Sequence, residues 1–388
     1  MTSSGSTTFA TQPFSAVAQS VSSGTTTQRD QRGRYPLYGS TGQIGLTNRV
    51  EFTGPSILIA RVGANAGSVY AVDGKYGVTD NTLVVRLRPG HNQSFVTQLL
   101  RYAELNRMVY GSGQPLVTGT MIKGLQVPAV APHEQARIAR ALDDANAYVA
   151  SLKLAIAKKR AIKQALMQQL LAGRTRLPGF SGDWERLAVA SRSVMKARIG
   201  WQGLKTDEYR ESGTYRLVGG TEFVDGRIDW NNTPFVDKWR YDQDSYIQLR
   251  AGDVLLTKDG TIGKTAFVDT LPGPATLNSG VFVIRPVRQA YDPAFLYFML
   301  RSRVFDEFLS RLTAGSTISH LYQRDLVTLV LDVPATIKEQ QAIAEVLADA
   351  EEEVGVLNEK LSKARVVTTG MVQQLLTGRV RLPEGAAS

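Results

Sequence analysis

The sequence predicts an α+β protein built as a tandem duplication, each copy a mixed, strand-rich module followed by one long helix. Three observations lead to this. A thirteen-residue string occurs twice, as LMQQLLAGRTRLP at 166–178 and as MVQQLLTGRVRLP at 371–383. Ahead of each string, apolar residues recur at alternating steps of four and three. Ahead of each helix lies a segment with short apolar runs and glycine turns, and the two segments match each other weakly.

The repeat keeps one spacing, which is the mark of a duplicated structural unit. Gln168 and Gln373 are 205 residues apart, and so are Glu134 and Glu339, so neither copy has an insertion between these points. In the first copy the apolar positions are Ile138, Leu142, Ala145, Val149, Leu152 and Ile156. In the second they are Ile343, Leu347, Ala350, Val354, Leu357 and Leu361. This stepping makes the narrow a/d seam of a coiled coil, and the simplest partner for each helix is the other. At about 1.5 Å per residue, a segment of about forty residues spans roughly 60 Å.

The helix ends are marked as well. Thr336 and Glu339 have the spacing of a capping box, while the first copy offers Ala131 at the cap and Pro132 at the first helical position. Gly173 and Gly378 suit the left-handed residue that closes a helix. Past Ile156 the seam loses regularity, because Lys159 and Lys163 stand where the second copy has Ala364 and Thr368. Ile162, Leu166 and Leu170 then suggest either a second contact face for another subunit or a shifted seam within the same pair. Four segments follow: a first module over 1–130, a helix over 131–178, a second module over 179–335, and a helix with its tail over 336–388.

Within the modules, YPLYGSTGQIG from Tyr35 matches YRLVGGTEFVDG from Tyr215. SILIARVGANAGSVYAV at 56–72 matches DVLLTKDGTIGKTAFV at 253–268, a strand, a basic residue, a glycine turn and a second strand. Both modules then run through an apolar strand (Leu83–Leu87; Val281–Ile284), an aromatic- and leucine-rich helix, a small polar loop and a closing VPA. The two helices are nearly alike and the modules differ greatly, so the helices do a common job and the modules do different versions of one job.

Composition narrows the job. Lys and Arg number 45 against 35 Asp and Glu, a formal charge of +10 that favours polyanionic partners, nucleic acid first. The absence of cysteine removes disulfides, thiol nucleophiles and thiolate metal sites, and His91, His133 and His320 are too far apart in sequence to suggest a metal site. Neither a signal peptide nor a bilayer-length apolar run of about 20 residues is present, which predicts a soluble, cytoplasmic protein. The glycines at 63, 67, 260 and 263 lack the spacing of a nucleotide-binding loop and read as hairpin turns. Residues around them could touch DNA: Arg61, Asn65 and Ser68 in one loop, and Lys258, Thr261 and Lys264 in the other. The polar loops before each VPA add Ser112, Gln114 and Thr118, and Ser316, Thr317, Ser319 and His320. Positive side chains there would fix register on phosphates, while Asn, Gln and Arg can read base edges.

The QQLL-x-G-R-x-R-LP string followed by GFSGDW at 179–184, the YGSTGQIG opening and the EQ start of each helix resemble the DNA-specificity subunits of type I restriction-modification enzymes over essentially the whole chain. The resemblance implies two target-recognition domains separated by two long antiparallel coiled-coil helices in a pseudo-twofold tandem repeat. It implies that each module reads one half of a bipartite double-stranded DNA target, with the helix pair as the ruler between halves spaced about one turn, ~34 Å. The chain itself would be non-catalytic and bind no cofactor. Two methyltransferase subunits would carry S-adenosylmethionine, and restriction (translocase-nuclease) subunits, where present, would use ATP and Mg. Many members begin with a short helical stretch, whereas here a Ser/Thr-rich segment leads almost directly to Phe14, which leaves the N-terminal boundary open. Two alternatives stand beside this. A single-chain methyltransferase would need a [DNS]-P-P-[YFW] motif and a glycine-rich cofactor loop, and neither is present. A coiled-coil scaffold that binds only protein would explain the helices but gives no reason for two diverged modules bearing basic loops.

Overall fold

The computed structural model describes residues 8–27, 29–108, 116–199, 203–313 and 320–383. The chain divides into two compact units, Met1–Leu154 with Asn358–Ser388, and Ala155–Leu357, so the division falls inside both long helices.

In unit 1, strands β1 (Thr11–Pro13) and β10 (Gln126–Pro128) pair antiparallel and close the module. A four-stranded antiparallel sheet runs β2 (Ala18–Ser23), β9 (Thr82–Leu87), β6 (Ser56–Ala60), β7 (Val69–Val72). A second sheet runs β4 (Gly42–Thr47), β3 (Tyr35–Gly39), β8 (Lys75–Val78), β5 (Phe52–Thr53), with β3 and β8 parallel. Helices α1 (Gln93–Tyr102) and α2 (Gly119–Gly124) complete the module, and α3 (Pro132–Leu170) follows it.

Unit 2 repeats this plan. The closing pair is β11 (Trp184–Ala188) with β21 (Val330–Pro334). The four-stranded sheet runs β12 (Ser193–Ala197), β20 (Val281–Pro286), β17 (Val254–Thr257), β18 (Thr265–Phe267). The second sheet holds β16 (Phe235–Val236), β13 (Tyr215–Val218) and β19 (Ala275–Leu277), with β13 and β19 parallel. A small hairpin, β14 (Phe223–Val224) with β15 (Arg227–Ile228), and the short helix α4 (Lys238–Asp242) are additions. Helices α5 (Pro293–Met299), α6 (Arg303–Thr313) and α7 (Gln323–Leu326) precede the second long helix, α8 (Ile337–Leu376).

The central strands are apolar without alternation because each serves two cores. In β6, Ile57 and Ile59 face the core that holds α1, while Leu58 faces the core under the second sheet. In β17, Val254 and Leu256 face the core of α5, and Leu255 faces the other. A strand buried on both faces has no use for polar residues. The helices that cover these sheets start at equivalent caps: the Asn92 side chain accepts from the Phe95 amide, and the Asp292 side chain from the Phe295 amide.

Each unit also contains one half of each long helix. In unit 1, Ile138, Ala139 and Leu142 of α3 share a core with Leu375 and Leu376 of α8. In unit 2, Leu170 and Leu171 share a core with Ile343, Ala344 and Leu347. The halves run antiparallel: moving along α3 from Lys159 to Lys163 moves the ion-pair partner back along α8 from Glu353 to Glu351. The seam residues Ile138, Leu142, Leu152, Ile156, Ile343, Leu347 and Val354 are buried, and Val149, Leu357 and Leu361 are half-buried.

Two sequence expectations change here. Past Ile156, Leu166 and Leu170 do carry the stripe onward, packed in the unit 2 core with Ile343 and Leu347, whereas Ile162 is 42% exposed and takes no part. The seam also continues through Lys159 and Lys163, whose amines reach Glu353 at 2.6 Å and Glu351 at 3.0 Å. The capping box at Thr336 is only half made. The Thr336 hydroxyl accepts from the Glu339 amide at 3.4 Å, but the Glu339 carboxylate is held by Arg176 instead of reaching back. Gly173 and Gly378 do close their helices, with φ of +64° and +72°. Among the described residues no helix is long and apolar enough to cross a membrane.

Candidate nucleic-acid interface

The glycine loop and the polar loop of each module, far apart in sequence, meet at one edge of the four-stranded sheet. In unit 1 the Arg61 carbonyl accepts from the Val117 amide at 2.8 Å, and Val62 bridges Leu116. In unit 2 the Lys258 carbonyl accepts from the Leu321 amide at 2.8 Å, and Asp259 bridges His320. The turn before the third strand joins each pair, since the Arg61 amide donates to Asn81 O and the Lys258 amide to Gly280 O, both at 2.9 Å. Arg61 and Lys258 are therefore structural equivalents, each at the end of a buried strand where three chain segments converge.

The predicted residues fall into three groups. Asn65, Thr261 and Lys264 are exposed on the glycine loops. The Lys264 amide and the Thr261 carbonyl are both tied to the Thr257 hydroxyl, which fixes the loop and leaves the Lys264 side chain outward. Arg61, Ser68, Thr118, Lys258 and His320 are half-buried and already engaged in part. Arg61 donates from Nη1 to Asp80 O at 3.0 Å, and its buried Nε has no partner among the described residues. Ser68 lies in the tight turn, its amide donating to Asn65 O. Thr118 caps α2, its hydroxyl accepting from the Met121 amide at 3.2 Å. Lys258 lies 3.6 Å from Asp259 and 5.8 Å above the Phe282 ring. His320 binds Asp259 and packs against Tyr322, whose ring carries Arg324 at 4.5 Å. Ser112, Gln114, Ser316, Thr317 and Ser319 lie outside the described residues.

Among the described residues this edge presents Asn65, Thr261 and Lys264 as its exposed polar or charged side chains of the predicted set. Among the described residues there is no cluster of three metal-ligating side chains.

A second set of residues escaped the sequence reading. In unit 2 the Arg176 guanidinium grips the Glu339 carboxylate through Nε at 2.6 Å and Nη2 at 2.7 Å. In unit 1 Arg381 approaches Glu134 at 3.4 Å. These residues keep the 205-residue offset, so each copy of the repeated string docks on the start of the other copy's helix. The adjacent glutamine does a matching job. Gln135 accepts from the Asn92 amide at 3.0 Å and donates to Val130 O at 2.8 Å; Gln340 accepts from the Asp292 amide and donates to Pro334 O, both at 2.8 Å. The only signal in the sequence was the recurrence of Glu-Gln and of the second arginine of each string at one offset.

Unit 2 also carries two buried polar devices. Arg198, 1% exposed, donates to Leu277 O, the Thr276 hydroxyl and Gln243 Oε1, tying α4 to the sheets. Burial, and then the nearby Arg240, pull its pKa below the usual arginine value. Glu351 is the hub of the other, with Arg301 at 2.8 Å, Lys163 at 3.0 Å and the Tyr297 hydroxyl at 3.1 Å. Burial pushes the Glu351 carboxyl up, but the charges of Arg301 and Lys163 outweigh it and hold its pKa below the ordinary value. Burial raises the pKa of Tyr297, and it pushes that of Tyr291 up to about 12.

The family model described as "type I restriction modification DNA specificity domain" matches residues 18–159 and 199–364. The chain is 23% identical over 346 residues to the type I restriction enzyme MjaVIII specificity subunit of Methanocaldococcus jannaschii, covering 84% of this chain and 79% of that one. Over 109 residues it is 29% identical to the EcoprrI specificity subunit of Escherichia coli, covering 28% and 27%. In fold it is similar to the S subunit of a type I restriction-modification system from M. genitalium, with a TM-score of 0.68 at 14% identity over 95% of this chain and 96% of that one. A structure titled for complex assembly and conformational transition of the type I R-M system matches with a TM-score of 0.52 at 16% identity, over 96% and 98%.

Proposed function

Because the chain belongs to the type I restriction-modification DNA specificity family, we propose that it reads a bipartite double-stranded DNA target, one half-site per module, with α3 and α8 as the ruler that sets the unread gap. The chain is the non-catalytic subunit, and methylation and cleavage belong to partners. Two methyltransferase subunits would bring S-adenosylmethionine, and restriction subunits ATP and Mg.

One observation carries this reading. Both units place a basic residue, Arg61 or Lys258, at the same junction of three loop segments, while the side chains around that junction differ between the copies. A shared scaffold with different loops is what two modules of one kind need in order to read different sequences, since base contacts specify and backbone contacts position. The glycine loops and the turns at Asn81 and Gly280 present the reading side chains, and the helices carry no part of the base readout.

The test is to co-express the chain with a cognate methyltransferase and map methylated bases by single-molecule sequencing. A bipartite motif with a fixed gap, lost on deletion of this chain, is expected. A contiguous motif, or a pattern unchanged by deletion, would replace the reading with that of a protein scaffold.

A further inference from the structure

The positive charge of the protein is not shared between its units. Unit 1 has nineteen Lys and Arg against ten Asp and Glu, while unit 2 has twenty-six against twenty-five. Almost the whole excess of +10 therefore belongs to unit 1. Its densest source is the segment RDQRGR, which holds Arg29, Arg32 and Arg34 just ahead of β3.

That segment is a built turn. Asp30 organises it, accepting from the Arg32 amide at 2.9 Å and from Asn48 Nδ2 at 2.5 Å, while its own amide donates to Leu46 O at 2.9 Å. Gly33 closes on the backbone of Thr47 so tightly that a Cβ there would lie 2.5 Å from the Thr47 nitrogen. The stem of Arg29 runs along Gly45 of β4. All three arginines are exposed, and none is in an ion pair among the described residues. At the equivalent place in unit 2, ahead of β13, the segment holds Asp207, Glu208 and Glu211, and Arg210 is paired with Asp237 at 3.2 Å. Three exposed arginines within six residues raise the positive potential that a polyanion meets at this turn.

The turn lies at the start of β3, whose other end leads to Thr79, through the bond from the Thr79 amide to Tyr38 O, and so to the Arg61 edge. Five strand residues separate the two places, about 17 Å at the usual rise. Side chains so far from the reading edge meet the sugar-phosphate backbone beside the groove rather than the bases inside it. We propose that Arg29, Arg32 and Arg34 form a phosphate clamp that anchors unit 1 on the DNA backbone and gives the protein its sequence-independent affinity. Unit 2, nearly neutral, engages its half-site through short-range interactions. The assignment rests on the DNA-reading function proposed above.

The test uses the complex with methyltransferase subunits and a duplex bearing the mapped target. Arg29→Gln, Arg32→Gln and Arg34→Gln together are expected to flatten the slope of log affinity against log salt by about 0.9 for each phosphate no longer neutralised, about 2.7 in all. Affinity for the target and for unrelated duplex should fall by the same factor, and the methylated motif should not change. A control triple, Arg88→Gln, Arg107→Gln and Arg140→Gln, removes the same charge elsewhere in unit 1 and is expected to have a markedly smaller effect on the slope. An unchanged slope, an equal effect of the control, or a change in the motif would overturn the clamp. Failure of the unsubstituted complex to bind any bipartite duplex would instead overturn the underlying function.

Discussion

Replacing Glu351 with Gln removes one charge from the hub of unit 2 while keeping the side-chain size. Arg301 and Lys163 then face each other at 2.8 Å and 3.0 Å from a neutral amide, with the Tyr297 hydroxyl alongside. Breaking a fully buried pair from one side costs roughly 3–5 kcal/mol, because the remaining charge stays desolvated. Here the Glu351, Lys163 and Arg301 side chains are 14%, 19% and 22% exposed, so water screens part of the loss. A cost of about 2–3 kcal/mol follows. For a unit of about two hundred residues this lowers the unfolding midpoint by roughly 5–10 °C. The dependence on pH has a definite sign. The folded carboxyl has a pKa below its unfolded value, so its contribution is present above the ordinary carboxylate pKa and is lost as pH falls through the depressed folded one. Calorimetry of the wild type and Glu351→Gln at pH 7 and again near pH 3 should show a gap that narrows in acid. Equal midpoints at pH 7, or a gap that persists undiminished in acid, would refute the account of Glu351 as a charged hub.

Five further substitutions and one exchange probe the rest. Leu152→Asp or Leu357→Asp puts a charge into the helix seam, should cost at least about 2 kcal/mol, and should abolish recognition of both half-sites together; normal binding by either variant would sink the ruler. Arg176→Ala should lower the thermal midpoint more than Arg381→Ala, since Arg176 makes two short bonds to a nearly buried Glu339 whereas Arg381 is half exposed and 3.4 Å from Glu134; the reverse order in a melting experiment would contradict the geometry. Thr118→Ala should cost about 1 kcal/mol through loss of the α2 cap, read as faster amide hydrogen exchange at Met121, and unchanged exchange there would deny the cap. Exchange of residues 13–130 for another member's module should alter one half-site in a methylation map and leave the other unchanged.

The parts legible in the sequence were those written in short-range pattern. The 3.5-residue seam, the glycine ends at 173 and 378 and the duplicated strand-turn-strand motif each depend on neighbours within a few residues. The course of the seam past Ile156 was only partly legible, because a lysine at a seam position looks like a break until its partner's register is known. Lys159 and Lys163 sit there because antiparallel packing brings Glu353 and Glu351 opposite them. Glu339 misled for the same reason: its spacing from Thr336 suggested a local cap, and a guanidinium from 163 residues away took the carboxylate instead. The arginine turn was hidden by its own ordinariness, since a run of exposed charge says nothing until the structure shows the charges unpaired and fixed. Of the candidate DNA-binding loops, the sequence identified the chain segments but could not show that segments near 61 and 117, or near 258 and 321, join at one edge.

The seat of each helix explains why the two copies of the helical string are nearly alike while the modules have diverged. At the base of each module, Gln135 or Gln340 satisfies the amide of the residue that caps α1 or α5 and a carbonyl at or just past the end of the closing strand. The preceding glutamate, 6% or 2% exposed, is met by an arginine that arrives from the other copy's string. The glutamate and glutamine of each copy are buried, Arg176 is half-buried and Arg381 is exposed, so loss of a partner leaves a desolvated polar group unpaired, at about 1–3 kcal/mol or more for a charge. Both copies must therefore keep the whole set. The junctions at Arg61 and Lys258 are joined by main-chain bonds, which leave the exposed side chains of the surrounding loops, Asn65, Thr261 and Lys264, open to change. A module anchored by side chains at its base and shaped by backbone at its edge can change what it reads without disturbing how it is held.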